Sequence, residues 1–248
     1  MEINKFPELT VILPAYKEAE NLSLLLPQLI KVLNNIDTET EILVIDSELP
    51  LDNTESICKE NGVIWLPRKG GNRYGDAIRT GIRASLGKFV IIMDSDGSHN
   101  PEFIHQMWNK RFEADIIIAS RYIPGGVTEN PWILVALSKV LNIVFKIILG
   151  LPVYDISDSF RLYRGDLLRS IQPTYANFDI LEEILAKIIW LNRGGKTKVI
   201  ELPFTFEQRK FGKPKRKLIV FGIQFILALF RLWRLRNQRS FKKLNSKV

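Results

Sequence analysis

Phe89-Val90-Ile91-Ile92-Met93-Asp94-Ser95-Asp96-Gly97-Ser98-His99 is an apolar run that stops at two aspartates one residue apart. Five consecutive apolar residues predict a strand buried on both faces, as in a parallel sheet. Ligands of such sheets gather at the carboxyl ends of the strands. Gly97 lets the chain turn away there. Alternate residues of a strand share a side, so Asp94 and Asp96 can face one ion. Hard divalent cations take oxygen ligands, and Mg²⁺ often uses one or two carboxylates plus substrate phosphates. The spacing alone fits a solvated turn equally well, because Asp and Ser are common at strand ends.

The flanking segments repeat the rhythm. Leu9–Pro14 (LTVILP) reads as a strand stopped by proline, followed by the polar loop 15–21. Leu22–Leu33 is a helix in which Pro27 marks a kink or a late start. Glu41–Asp46 is a second strand ending in an aspartate. Thr54–Asn61 is a helix closed by Gly62, and Val63–Leu66 a third strand. Arg68–Gly75 (RKGGNRYG) is a basic, glycine-rich loop before a helix over Asp76–Leu86, a weak phosphate-cradle pattern. Strand alternating with helix, with acidic strand ends, predicts a Rossmann-like α/β fold with a mostly parallel sheet flanked by helices.

Asp115–Ser120 is a further strand, leading to Arg121-Tyr122 and a Pro124-Gly125-Gly126 turn. Trp132–Leu149 is a strongly apolar helix. Its polar residues Ser138, Lys139, Asn142 and Lys146 recur every three to four positions, one narrow stripe. Two lysines speak against spanning a bilayer, so a helix against a core or a membrane surface is expected. Asp155–Arg164 is a loop entering a strand or helix. Asp179–Asn192 is helical, Lys198–Phe206 a short strand, and Gln208–Lys217 a basic loop. Leu218–Phe230 is an apolar run flanked by cations, which suits an amphipathic interfacial helix.

Charge is uneven. Thirteen of the 35 Lys and Arg lie in 209–248 with no Asp or Glu, leaving residues 1–208 with 22 basic against 27 acidic residues. The expected division is therefore a globular domain over 1–208, then a basic loop, membrane-associating helix and basic tail over 209–248. Such a tail can meet nucleic acid, anionic lipid or a phosphorylated substrate. The acidic globule and the apolar content of the tail count against nucleic acid. One cysteine, Cys58, excludes an internal disulfide and fits a reducing compartment. With only two histidines, a structural zinc site is not expected. Met1–Glu8 shows no charged-then-apolar leader, so the cytoplasmic side is expected.

Taken in order, LTVILPAYKEAEN, EILVID, FVIIMDSDGSHNPEF, ASRYIPGG, DISDSFRLYR and FEQRKFGKPK resemble the family 2 glycosyltransferases of the GT-A fold. Within that family the chain is most similar to dolichyl-phosphate mannosyltransferase and its bacterial polyprenyl-phosphate relatives, over roughly Leu9 to Phe230. The resemblance implies a metal site, Mg²⁺ or Mn²⁺, on Asp94 and Asp96, with Ser98 as the following polar ligand. It implies nucleotide-sugar binding, GDP- or UDP-linked, by Pro14, Ala15, Tyr16, Glu18, Asp46, Asp94 and Ser95. It places Arg121 among the catalytic residues and, with Lys139, Arg209 and Lys215, at the acceptor phosphate. The chain departs from the family at Ser47, where a second aspartate is common, and in a 48–54 loop one residue longer. Leu134 and Val135 stand where arginines are often found, and Lys139 is the nearest cation.

The implied reaction is inverting transfer of a sugar, mannose or glucose, to a polyprenyl phosphate at the cytoplasmic face of a membrane. Its acceptor is already an anion, so cations rather than a general base are needed, which agrees with a sequence that offers no obvious His–carboxylate dyad. A saccharide acceptor, which needs a carboxylate base, and an inactive nucleotide-sugar-binding scaffold remain as alternatives.

Overall fold

The computed structural model describes residues 6–191, 197–211 and 226–237. A seven-stranded sheet runs through the middle. In chain order its strands are β1 (Leu9–Pro14), β2 (Thr40–Asp46), β3 (Ile64–Pro67), β4 (Phe89–Ile92), β5 (Ile116–Ser120), β7 (Arg161–Arg164) and β8 (Val199–Pro203). Their spatial order is β3-β2-β1-β4-β7-β5-β8. All pairings are parallel except those of β7, which runs antiparallel between β4 and β5. A second, two-stranded ribbon pairs β6 (Val127–Thr128) with β9 (Thr205–Phe206).

Strand alternation divides the core into two layers. Leu9, Val11 and Leu13 of β1, with Phe89 and Ile91 of β4, pack on α1 (Ala19–Asn34), α2 (Thr54–Glu60) and α4 (Phe103–Asn109). Ile12 of β1, with Val90 and Ile92 of β4, packs on α3 (Tyr74–Ala84), α5 (Trp132–Leu149), α6 (Gly165–Ser170) and α7 (Ile180–Leu191). The apolar run 89–93 is thus buried on both faces, as its composition predicts.

Two helices show what the sequence pattern leaves open. α1 begins at Ala19, not Leu22, because Asp52 reaches over to accept the Ala19 N–H at 3.0 Å. A cap supplied from 33 residues away leaves no local sequence signal. Pro27 lies inside α1 on its exposed side. In α5 one residue of the polar stripe, Asn142, faces the globule with Phe145 and Leu149, and most of the apolar surface points outward. Asn142 is buried and accepts the Ile156 N–H at 2.9 Å, while Trp132, Ile133, Leu137, Val140, Ile143 and Ile147 are exposed. Residues 226–237 are helical and lie beside α5. Ala228 and Leu232 are buried with Phe145 and Leu149, and Arg236 donates to the Ile148 carbonyl at 2.7 Å. Gly150, at φ 63°, ends α5 in the left-handed conformation that glycine tolerates best.

β7 decides what meets what. Because it is antiparallel, the loop before it arrives at the carboxyl ends of β4 and β5. Residues 155–160 are therefore delivered to the edge where Asp94 and Ser120 leave the sheet.

Candidate active site

Three chain ends converge at that edge. β1 ends at Pro14, whose carbonyl accepts the buried Ser95 hydroxyl at 2.8 Å. β2 ends at Asp46, fully buried, whose carboxylate takes the Ser47 N–H at 2.7 Å and the Trp65 indole N–H at 3.3 Å. β4 leads into Asp94 and Asp96, both partly exposed. Asp94 Oδ1 accepts the Tyr74 hydroxyl at 3.3 Å, and Tyr74 stacks on Phe178 with ring centroids 4.2 Å apart. Asp96 Oδ1 accepts the Ser98 N–H at 3.1 Å and the Ser98 hydroxyl at 2.6 Å. Ser98 is buried, so its hydroxyl acts on the Asp96 carboxylate. Gly97 turns the chain at φ 79°.

A strap over 207–211 crosses this edge. The Glu207 N–H donates to Ser98 O at 3.1 Å and the Lys210 N–H to Asp96 O at 3.2 Å. The Phe211 N–H donates to Asn21 Oδ1 at 3.1 Å, which ties the strap to α1. Arg209 then sits between two acidic groups. Its Nη2 meets both Glu18 oxygens at 3.1 and 3.0 Å, and its Nη1 lies 3.9 Å from Asp96 Oδ2. Glu18 also accepts from Asn21 at 2.6 Å. A cleft of about 360 Å³ opens between strap and first loop, lined by Lys17, Asp52, Asn53, Arg209 and Phe211 among others.

The acceptor-side cations stand across the edge. Arg121 follows β5 and is gripped by two fully buried aspartates: Asp155 at 2.8 Å from both Nε and Nη2, and Asp158 at 3.1 Å from Nε. Burial works to lower the Arg121 pKa, but these two carboxylates raise it, so the guanidinium keeps its charge. Lys139, exposed on α5, lies 5.9 Å from the Tyr122 ring centroid, and the Arg121 guanidinium lies 5.0 Å from the same centroid. Lys215 lies outside the described residues.

The first loop places Ala15, buried, and Tyr16, partly exposed, with the Arg68 guanidinium 5.7 Å from the Tyr16 ring centroid. Arg68 is itself buried. It donates to the carbonyls of Asp46, Asn72, Arg73 and Ala15, lashing β1 and β2 together. Part of the backbone of the glycine-rich loop is engaged within the protein. The N–H groups of Arg68, Lys69, Arg73 and Gly75 all donate to protein acceptors.

Three residues of this edge were not among those singled out from the sequence as site residues: Tyr74, Asp155 and Asp158. Tyr74 has a local cue, an aromatic at a helix start directly after the glycine loop. The two aspartates reach Arg121 only through the antiparallel pairing of β7.

The donor set offered by Asp94, Asp96 and Ser98 is all oxygen, which suits a hard divalent cation. Among the described residues no group of three or more His, Cys, Asp or Glu side chains is arranged to hold a metal. Two carboxylates leave the remaining coordination to water or a phosphate-bearing substrate.

Residues 10–172 match the profile of the family described as Glycosyl transferase family 2. Polyprenol monophosphomannose synthase of Mycolicibacterium smegmatis is 31% identical over 221 residues, covering 83% of this chain and 79% of that protein. Dolichol-phosphate mannosyltransferase of Pyrococcus furiosus is 31% identical over 218 residues, covering 85% of this chain and 59% of that protein. Among solved structures, glucosyl-3-phosphoglycerate synthase from Mycobacterium tuberculosis with phosphoglyceric acid has a TM-score of 0.70 at 18% identity, over 91% of this chain and 80% of that one. The same protein with Mn²⁺ and UDP-glucose has a TM-score of 0.68. That likeness is one of fold.

Proposed function

The chain belongs to glycosyl transferase family 2, and from that premise we propose that it moves a hexose, mannose or glucose, from a GDP- or UDP-linked donor to a polyprenyl phosphate, with inversion. The curated relatives named for polyprenol and dolichol phosphate support this acceptor. The observation that carries it is α5, whose 18 residues are buried only at Asn142, Phe145 and Leu149. Its outward apolar face, with Ile226, Leu227, Phe230 and Trp233 of the neighbouring helix, suits the acyl boundary of a membrane. Lys139, Lys146, Arg231 and Arg234 flank it, and each basic residue near an anionic surface adds about 1 kcal/mol of attraction. The protein is accordingly read as peripheral, on the cytoplasmic face. Residues 209–248 serve as acceptor loop and membrane-associating segment beside a catalytic unit over 1–208.

Asp94 and Asp96 would hold Mg²⁺ or Mn²⁺, whose chemistry is Lewis-acid stabilisation of the departing diphosphate. M. tuberculosis glucosyl-3-phosphoglycerate synthase has been crystallised with Mn²⁺ and with Mg²⁺, which supports a divalent ion in this fold. Ser98 and Tyr74 orient the two carboxylates. Pro14, Ala15, Tyr16, Glu18, Asp46 and Ser95 form the nucleotide side, with Asp46 and Ser95 fixing the strand ends. Arg121 and Lys139 receive the acceptor phosphate beside Tyr122, joined by Arg209 and Lys215; guanidinium suits bidentate phosphate contact. A saccharide acceptor fits less well. The carboxylates beside Arg121 are Asp155 and Asp158, and both are committed to that arginine.

The test offers purified protein radiolabelled GDP-mannose, UDP-glucose and related donors with polyprenyl phosphate and Mg²⁺ or Mn²⁺. Label is expected to partition into organic solvent for one donor. Asp96→Ala is expected to lower kcat by about 10²-fold or more. No lipid-soluble product from any donor overturns the reading.

A further inference from the structure

The Asp94 N–H stands just past the end of β4. Met93 still donates to Ile12 O at 3.1 Å, but the Asp94 N–H goes to a side chain, His99 Nδ1, at 3.0 Å. An N–H donor leaves Nδ1 no room for a proton, so the neutral ring carries its proton on Nε2. That nitrogen lies 3.4 Å from Asp158 Oδ1. Asp158 is held in turn, with Oδ1 accepting the Phe160 N–H at 2.8 Å and Oδ2 lying 3.1 Å from Arg121 Nε. The imidazole is 1% exposed and stacks on Phe160 at 4.9 Å, with Phe204 and Phe206 edge-on at 5.8 and 5.6 Å. The ring therefore has one setting, and that setting aims an acceptor at the backbone of the first aspartate of the pair.

We propose that His99 is a positioning residue: by accepting the Asp94 N–H it sets the turn on which the two carboxylates stand, and through Asp158 it ties that turn to Arg121. The donor half and the acceptor half of the site thus share one buried carboxylate. Groups behind metal-ligating side chains usually act this way, and losing them costs about 10–100-fold in metal affinity. The inference rests on the metal reading above.

Two substitutions separate positioning from packing. His99→Asn keeps an acceptor, because the amide oxygen falls where Nδ1 stands, but loses the stacked ring. His99→Phe keeps a stacked ring but loses the acceptor. The readout is Mn²⁺ affinity, measured by electron paramagnetic resonance with GDP or UDP present and no acceptor, on protein whose fold is checked by near-UV circular dichroism. His99→Phe is expected to bind Mn²⁺ at least about tenfold more weakly than wild type, and His99→Asn to recover most of that loss. Wild-type affinity in folded His99→Phe, or a tenfold loss in folded His99→Asn, overturns the proposal. If His99→Phe does not fold, His99→Asn decides alone. If neither folds, His99 is a packing residue and the proposal falls. A wild-type protein that binds no Mn²⁺ in this assay refutes the metal reading instead.

Discussion

Asp158 shows how one buried side chain gathers the site. Burial works to raise its pKa, but Arg121 and His99 hold it well below the usual carboxylate range. A carboxylate depressed in the folded state contributes stability that is complete above its unfolded pKa of about 3.9 and is lost as pH falls through the folded value. Removing one partner of a buried pair costs about 3–5 kcal/mol, so Asp158→Asn is expected to lower Tm strongly at pH 6. The Tm gap to wild type should then narrow as pH drops below about 4, where Asp158 begins to protonate in the unfolded chain while the folded state still holds it charged. A gap constant from pH 6 to pH 3 would show that Asp158 does not act through its charge. Asp94 and Asp96 were legible because they follow an unbroken apolar run. The role of Arg121 came only from resemblance to a family. Its grip by Asp155 and Asp158 depends on the antiparallel pairing of β7, which brings their loop to the end of β5.

At the scale of elements, α5 carries the functional reading and also the main surprise. Its limits, Trp132–Leu149, follow from apolar composition and the glycine that ends it. Which way it faces does not. A polar stripe on an apolar helix ordinarily marks the wet side, yet here Asn142 turns inward to serve the backbone of the Asp155–Asp158 loop. That demand is set by a loop 14 residues away and has no helical periodicity. Two substitutions test the two faces. Asn142→Leu leaves the Ile156 N–H buried without an acceptor, and is expected to cost about 1–3 kcal/mol in urea unfolding. An unchanged unfolding midpoint would mean that the bond contributes nothing. Ile143→Glu with Ile147→Glu alters only the outward face. It is expected to reduce co-sedimentation with anionic liposomes at unchanged Tm, and equal sedimentation would remove the membrane role assigned to α5. The glycine-rich loop at 68–75 teaches the converse lesson. Its composition matches a phosphate cradle, but the Arg68 side chain and the amides of Arg68, Lys69, Arg73 and Gly75 are engaged by acceptors of the protein itself.

Over the whole molecule, the sheet makes two half-sites meet. The parallel strands β1, β2 and β4 bring the nucleotide-facing loops to one edge, and the alternation of strand and helix announces this in the sequence. The acceptor-facing half depends on β7, whose reversed direction carries residues 155–160 to the same edge. A four-residue strand between a loop and a short helix gives little local warning of direction. The strap over 207–211 then links the halves through Arg209, Glu18 and Asp96. The order of motifs along the chain indicated the family, while their contacts required the folded topology. Everything in the proposed transfer turns on Asp94 and Asp96 holding a divalent ion against the donor diphosphate. The direct test is anomalous diffraction from crystals soaked with Mn²⁺ and the nucleotide sugar. The expected result is one manganese peak within coordination distance of both carboxylates and of the diphosphate oxygens. A bound nucleotide sugar with no manganese at those two aspartates would contradict it.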